Sequence, residues 1–308
     1  MAIRRGGMQT PTAASDVFST QLQNAGGSYT KTTGFVADMI LQASRDTVLV
    51  KRPYDRLRGG SKYLETSSTS AEASGGTMQF DNNTGYTGVT SLNTVDWIWK
   101  RARGYFDIVA YTGNGATSNS VAHNLGVVPE MMWIRRRDAV EAWQVPVLIT
   151  SSGYRNMRLD TTYEGQAISS YTDYTGLKSQ PTSTNFVLGQ NSQTNVSDGT
   201  FIAYLFVTAA GVSKFGSFTQ SGATNVDCGF TGDTPSFIII KRTDAAGDWY
   251  IFDSERGIVA GNDPYLELNS TDAEVTNTDI VDPYSGGFAT TSSLTNGDYI
   301  FYAIAATS

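Results

Sequence analysis

The chain has 308 residues, of which 17% are charged, and its 22 basic against 29 acidic side chains leave a net charge of −7. That acidic balance argues against a broad phosphate-binding face and predicts no nucleic-acid partner. One cysteine and one histidine exclude an intrachain disulfide and a multi-histidine metal centre. No apolar run approaches the ~18 residues of a membrane span, and the N-terminus lacks the apolar stretch of a signal peptide, so neither membrane insertion nor standard secretion is expected.

In chain order, residues 1–15 show no strand or helix period and read as an arm, with Arg4 and Arg5 as candidate handles for docking on a partner. A first unit is expected over residues 16–103, with strands at Val48-Leu49-Val50, residues 62–66 and residues 95–99. Short stretches such as residues 35–44 are the only candidates for helix. The second unit, residues 104–211, opens with Tyr105-Phe106-Asp107-Ile108-Val109-Ala110-Tyr111, where side chains alternate at period two. Asn114-Gly115 then predicts a tight hairpin turn. Met131-Met132-Trp133-Ile134 reads as a buried strand, and so does Phe237-Ile238-Ile239-Ile240 in the third unit, residues 212–308. Asp138 and Asp244 begin turns that return the chain to strands opening at Trp143 and Trp249. Residues 200–207 and 298–305 close their units after the turn signals Asp198-Gly199 and Asn296-Gly297.

These units are copies. Pro129, Ile134, Arg136, Asp138, Ala139 and Trp143 recur 106 positions later as Pro235, Ile240, Arg242, Asp244, Ala245 and Trp249. Tyr63-Leu64-Glu65, Ala71-Glu72 and Asp96 recur 202 positions later as Tyr265-Leu266-Glu267, Ala273-Glu274 and Asp298. A unit of ~100 residues is the size of a β-sandwich that buries its own core. The expected fold is therefore all-β: three tandem antiparallel β-sandwich domains, jelly-roll or lectin-like, with separate equivalent cores and short stiff junctions. The first unit departs most, because Val50-Lys51-Arg52 runs almost directly to Tyr54-Asp55 with no tryptophan at the place of Trp143 and Trp249.

No catalytic constellation is visible. His123 precedes a turn and reads as structural; Cys228 reads as a buried, inert thiol. The acidic residues Glu164, Asp173, Asp272, Glu274, Asp279 and Asp282 could in principle pair for glycoside hydrolysis, but loop carboxylates are common and nothing in the sequence shows two converging. Calcium-loop spacing is absent from residues 272–282. The expectation is no enzyme, no cofactor and no metal site. Asp55–Arg58–Gly59 and Asp253–Arg256–Gly257 predict local ion pairs that stiffen a turn. For binding, Tyr154, Tyr163, Tyr171 and Tyr174 fall in a loop-like segment with Ser169, Ser170 and Asp173, a mixture suited to stacking on sugars or meeting a protein partner.

Phe106-Asp107-Ile108-Val109 with Tyr111-Thr112-Gly113-Asn114-Gly115, then Asn124-Leu125-Gly126-Val127-Val128-Pro129, resembles a family of tandem β-repeat tail proteins of tailed bacteriophages. Lys241-Arg242-Thr243-Asp244 before Trp249, Phe252-Asp253 with Arg256-Gly257, and Asp298-Tyr299-Ile300 extend the likeness to the third unit. Gln9-Thr10-Pro11-Thr12 and Phe18-Ser19-Thr20 extend it to the opening of the chain. The resemblance implies a structural virion component made in the bacterial host cytoplasm, a tail or tail-fibre subunit that contributes to host attachment. Its implied partners are other copies of itself, neighbouring tail or capsid proteins, and host surface glycans. Two alternatives stay open, a capsid decoration or head-fibre protein and a glycan-binding adhesin; a glycan-degrading enzyme is the weakest reading.

Overall fold

The structure is a computed structural model that describes residues 8–149, 153–168, 176–232 and 234–307. Among the described residues it is all-β, with antiparallel sheets, none of them closed, and one short 3-10 turn at Ala14–Asp16. Three larger sheets share one wiring. In each, the opening strand pairs with the closing strand, which pairs with a central strand, which pairs with a return strand. In the first sheet these are Phe18–Gln23, Thr94–Trp99, Met39–Ser44 and Arg52–Asp55. The second runs Phe106–Thr112, Thr200–Phe206, Met131–Arg136 and Val145–Leu148, with Tyr154–Met157 and Gln166–Ala167 added beyond. The third runs Ser213–Gln220, Gly297–Ile304, Phe237–Arg242, Trp249–Asp253 and Leu266–Glu267. Each is accompanied by a small sheet: Gly27–Thr32 with Gly85–Thr90, Asn119–Ala122 with Asn185–Leu188, and Thr224–Asp227 with Gly287–Thr290 and Val281–Tyr284.

Several expectations change here. Val48-Leu49-Val50 is not a strand, and of residues 62–66 only Lys62–Tyr63 pairs, with Ala73–Ser74. The helix candidate contains the central strand Met39–Ser44. Asn114-Gly115 makes no hairpin, because the strands on either side of it pair with different partners, Thr200–Phe206 and Asn185–Leu188. Gly115 does take the positive φ of 65° that its turn needs. Asn195 Oδ1 instead holds this crossing segment by accepting from the Asn114 N–H at 3.0 Å.

The continuous apolar runs follow from burial on both faces. Alternate residues of Met131–Arg136 divide: Met131 and Trp133 enter one apolar cluster, Met132 and Ile134 another. In the first sheet Met39, Leu41, Trp97 and Trp99 face one way, while Ile40 and Ile98 face Tyr29 and Tyr86 of the small sheet.

The inward faces of all three large sheets meet. The Trp99 ring lies 5.0 Å from Phe18, 5.2 Å from Phe237 of the third repeat, and 6.3 Å from both Phe106 and Phe206 of the second. Phe206 in turn lies 5.4 Å from Tyr302. The expectation of three separate tryptophan cores is thus corrected. Trp97, Trp99, Trp133, Trp143 and Trp249 all belong to one shared cluster. Burying one aromatic face of each sheet against the other two removes more apolar surface from water than three isolated cores of this size would.

Polar contacts between the repeats run in a cycle. The Trp143 indole donates to Glu65 O (2.8 Å) and the Trp249 indole to Arg158 O (2.7 Å), binding the second repeat to the first and the third to the second. The first repeat closes the cycle through Lys51, whose Nζ donates to Ser270 O (2.8 Å) and Asp272 O (2.7 Å) of the third. Equivalent backbone bonds accompany them: Glu141 N to Thr69 O, Gly247 N to Thr162 O and Leu49 N to Thr271 O. This accounts for the missing tryptophan. In the second and third repeats a cation sits over the indole, Arg135 by Trp143 at 5.7 Å and Lys241 by Trp249 at 5.8 Å. The first repeat has Ala43 and Lys51 at those places, so its buried cation comes from the return strand.

The Asp-x-x-Arg pairs form as expected and reach further. Arg58 bonds Asp55 and Arg256 bonds Asp253, all four side chains being essentially buried. Asp55 also accepts from Tyr204 OH of the second repeat at 2.7 Å, and Asp253 from the Trp97 indole of the first at 2.9 Å. The second repeat has Val147 where these aspartates stand, opposite Met131 as Asp55 is opposite Met39.

Candidate functional site

Strand register exposes one place where the repeats differ in chemistry. In the first sheet Asp96, Gln42 and Arg52 stand directly opposite one another on neighbouring strands, and so share a face. The second repeat fills the same three places with Ala203, Ile134 and Gln144, the third with Phe301, Ile240 and Tyr250. Two repeats fold with mostly apolar residues there, so the fold does not require a buried carboxylate and a guanidinium at these positions. Burying such groups costs stability unless they are fully paired.

The sequence hid this row. Asp96 matches Asp298 at the constant offset of 202, yet the register places Asp96 level with Phe301, three residues further on. That anchor of the repeat is corrected. With the strands aligned by their pairing, a polar row in one copy against apolar rows in the others is the signal that would have found the site.

Asp96 is fully buried and accepts three hydrogen bonds: from Tyr86 OH at 2.7 Å, Tyr29 OH at 2.9 Å and Gln42 Nε2 at 2.9 Å. Burial raises its carboxyl above the usual range, and the three donors pull it back. Gln42 also donates to Tyr29 OH at 3.0 Å, which fixes its amide. At the other end of the row the Arg52 guanidinium lies over the Tyr63 ring, 4.4 Å from its centroid. None of the described carboxylates forms an ion pair with Arg52, and its Nε is buried without a hydrogen-bond partner.

Over this row opens a cleft of about 360 Å³, walled by Gln42, Ser44, Arg52, Tyr54 and Thr94 of the large sheet and by Val89 and Thr90 of the small one. Thr94 is 2% exposed and its Oγ1 has no hydrogen-bond partner. The cleft therefore combines a positive charge, fixed amide and hydroxyl groups, and an aromatic wall. Such a set can hold and orient a small polar ligand, and it offers no nucleophile activated by a base.

The residues singled out from sequence do not form this site. Tyr154 is corrected from an exposed loop position: it lies in a strand, 3% exposed, and donates to Pro129 O. Tyr163 is exposed, as expected, but far from the row in sequence and in another repeat. Arg4, Arg5, Asp173, Tyr171 and Tyr174 lie outside the described residues. Glu274 is held by Arg256 at 3.1 Å, and the Asp279 carboxyl is raised by desolvation and, second, by the charge of Asp282. Among the described residues no group of three or more His, Cys, Asp or Glu side chains converges to hold a metal ion. His123 is buried, with Nε2 3.2 Å from Thr182 O, and burial lowers its pKa. Burial pushes the Cys228 thiol up to about 12, which makes it inert at neutral pH.

Wiring, shared core and cleft define an all-β repeat protein with a polar cleft in its first repeat. The chain belongs to the family described as a domain of unknown function, DUF7483, which matches residues 13–307 as one unit. No curated protein and no solved structure matches it. Among the described residues no helix is long and apolar enough to cross a membrane.

Proposed function

We propose that the chain is a non-enzymatic structural component of a tailed-phage virion, a tail or tail-fibre subunit that takes part in attachment to the host surface. Each repeat would be a small antiparallel β-sandwich of the jelly-roll or lectin-like kind, with its outer loops free to meet neighbours. The observation that carries this reading is the shared aromatic core, centred on Trp99, which locks three repeats into one rigid body. A rigid body whose repeats are joined by short bridged turns, Ala102 to Phe106 and Ala209 to Ser213, suits a part that transmits position and load within a symmetric appendage. The resemblance of the strand and turn motifs to phage tail proteins supplies the class. The test is immunogold labelling of purified particles with antibody against the chain. Label at the tail supports the reading; label over the head favours a decoration protein; absence from the particle refutes both.

A second reading, a glycan-binding adhesin, is favoured by the cleft over Arg52, Gln42 and Thr94. It is compatible with a tail location and differs in placing the function in one pocket rather than in the assembly.

A further inference from the structure

We infer that the cleft of the first repeat binds a single acidic sugar residue of the hexuronate class, its carboxylate against Arg52 and its hydroxyls against Gln42, Ser44 and Thr94. The inference deepens the attachment reading and rests on it only for the biological source of the ligand.

Three observations carry it. The first is the exchange of Ala203–Ile134–Gln144 and Phe301–Ile240–Tyr250 for Asp96–Gln42–Arg52, in the repeat that holds this cleft. Asp96 and Gln42 serve the buried hydroxyls of Tyr29 and Tyr86; Arg52, which pairs with no described carboxylate, is the member of the row whose use is sought outside the fold. The second is the state of Arg52. Its charge is uncompensated by any described carboxylate, while Tyr63 beneath it holds the guanidinium plane in place. Nε is buried and the Tyr54 hydroxyl accepts from the same guanidinium, so the terminal nitrogens are the ones that meet a carboxylate. The third is the wall. Ser44, Thr90 and Thr94 offer hydroxyls, Gln42 a fixed amide and Tyr54 a ring, and Thr94 Oγ1 is left without a partner. Hydroxyl and amide groups beside an aromatic face are the lining that a sugar ring satisfies on its edges and on its face.

Size and charge narrow the class. At about 360 Å³ the cleft lies near the small end of the ~300–1,000 Å³ usual for small-ligand sites, room for one ring and its substituents. One guanidinium matches one negative charge. A phosphate dianion would call for further cations or a helix N-terminus, and the wall provides neither. Asp96 is not part of the cleft wall: it sits behind Gln42, its oxygens are held by Tyr29, Tyr86 and Gln42, and Lys31 is the cation that acts on its charge.

The test uses the whole purified chain, with D-glucuronate as the probe and D-glucose, acetate and inorganic phosphate as controls, each titrated to roughly 50 mM by calorimetry and by thermal shift. Glucuronate is expected to bind and to raise the melting temperature, with D-glucose at least about tenfold weaker for want of the carboxylate. Arg52→Gln should weaken glucuronate about tenfold or more. Thr94→Val, which keeps the shape of the side chain, should weaken glucuronate and glucose by the same factor. The pair of sugars on the unmodified chain decides the matter even if Arg52→Gln fails to fold. No glucuronate binding, equal binding of the two sugars, or glucuronate binding unchanged in Arg52→Gln would each overturn the inference. So would acetate or phosphate binding as tightly as glucuronate, which would mean a bare anion site. Failure here leaves the immunogold result standing, and a missing label on particles leaves the binding result standing.

Discussion

Replacing Trp99 by alanine tests whether the repeats are one cooperative body. Trp99 is fully buried and its indole N–H makes no hydrogen bond, so the substitution removes packing alone. A Trp→Ala change in a core costs ~3–5 kcal/mol. The upper end is expected, because four rings from all three repeats (Phe18, Phe106, Phe206 and Phe237) lose their neighbour together. At ~2.1 cal/mol/K of unfolding entropy per residue, the chain carries ~0.65 kcal/mol/K, so Tm should fall by roughly 5–8 °C. Differential scanning calorimetry supplies the decisive readout: one transition that moves as a whole. Two or three resolved transitions, with only the lowest displaced, would show that each repeat melts on its own and that the shared cluster does not couple them.

Trp249→Phe keeps most of the ring but strips the donor from Arg158 O, and the abandoned carbonyl should cost ~1–3 kcal/mol in urea unfolding. Arg256→Met leaves Asp253 as a buried carboxylate without its cation and Glu274 with Arg45 alone, at 3.7 Å; a loss of ~3–5 kcal/mol is expected, and a neutral effect in the same unfolding assay would show that water reaches the cluster. Burial lowers Lys51 and Lys241 to about 8, below the ~10.4 of an unfolded lysine. Between about pH 8 and 10 the unfolded chain therefore binds more protons, and the contribution of these two groups makes the fold more stable as pH rises. The urea midpoint should climb from pH 7.5 to 9.5, and Lys51→Met with Lys241→Met should flatten the climb. Above about pH 10 the slope should reverse, because burial holds Tyr86, Tyr105 and Tyr204 above the value at which unfolded tyrosines ionise.

The strands that were legible in the sequence are those buried on both faces. Met131-Met132-Trp133-Ile134 and Phe237-Ile238-Ile239-Ile240 announce themselves as continuous apolar runs because two clusters claim alternate residues. The Asp-x-x-Arg pairs were legible because both partners lie within one turn. Val48-Leu49-Val50 misled because its apolar side chains suggest a strand while its backbone serves the neighbouring repeat, Leu49 N donating to Thr271 O. Tyr154 misled in the opposite sense, since the polar residues around it give no sign that its ring packs beneath two sheets. The polar row was out of reach for a different reason. Its three residues are separated by ten to more than forty positions in the chain, and only pairing across the sheet brings them level. A three-residue change in register set the wrong aspartates side by side. The meeting of the three inward faces is likewise invisible to periodicity, which shows that a face is buried but not by what.

The bond between Lys51 and the third repeat has a consequence for biosynthesis. Lys51 and Ser270 are 219 residues apart. At ~5–20 residues per second, a ribosome needs roughly 10–45 s to deliver the second partner after the first. Through that interval the aromatic side of the nascent first sheet, Trp97 and Trp99 included, lacks its final covering, and contacts so distant in the chain form slowly even once available. Messages cut short in the last third would release polypeptides with a sticky, uncovered flank, natural clients for holding chaperones.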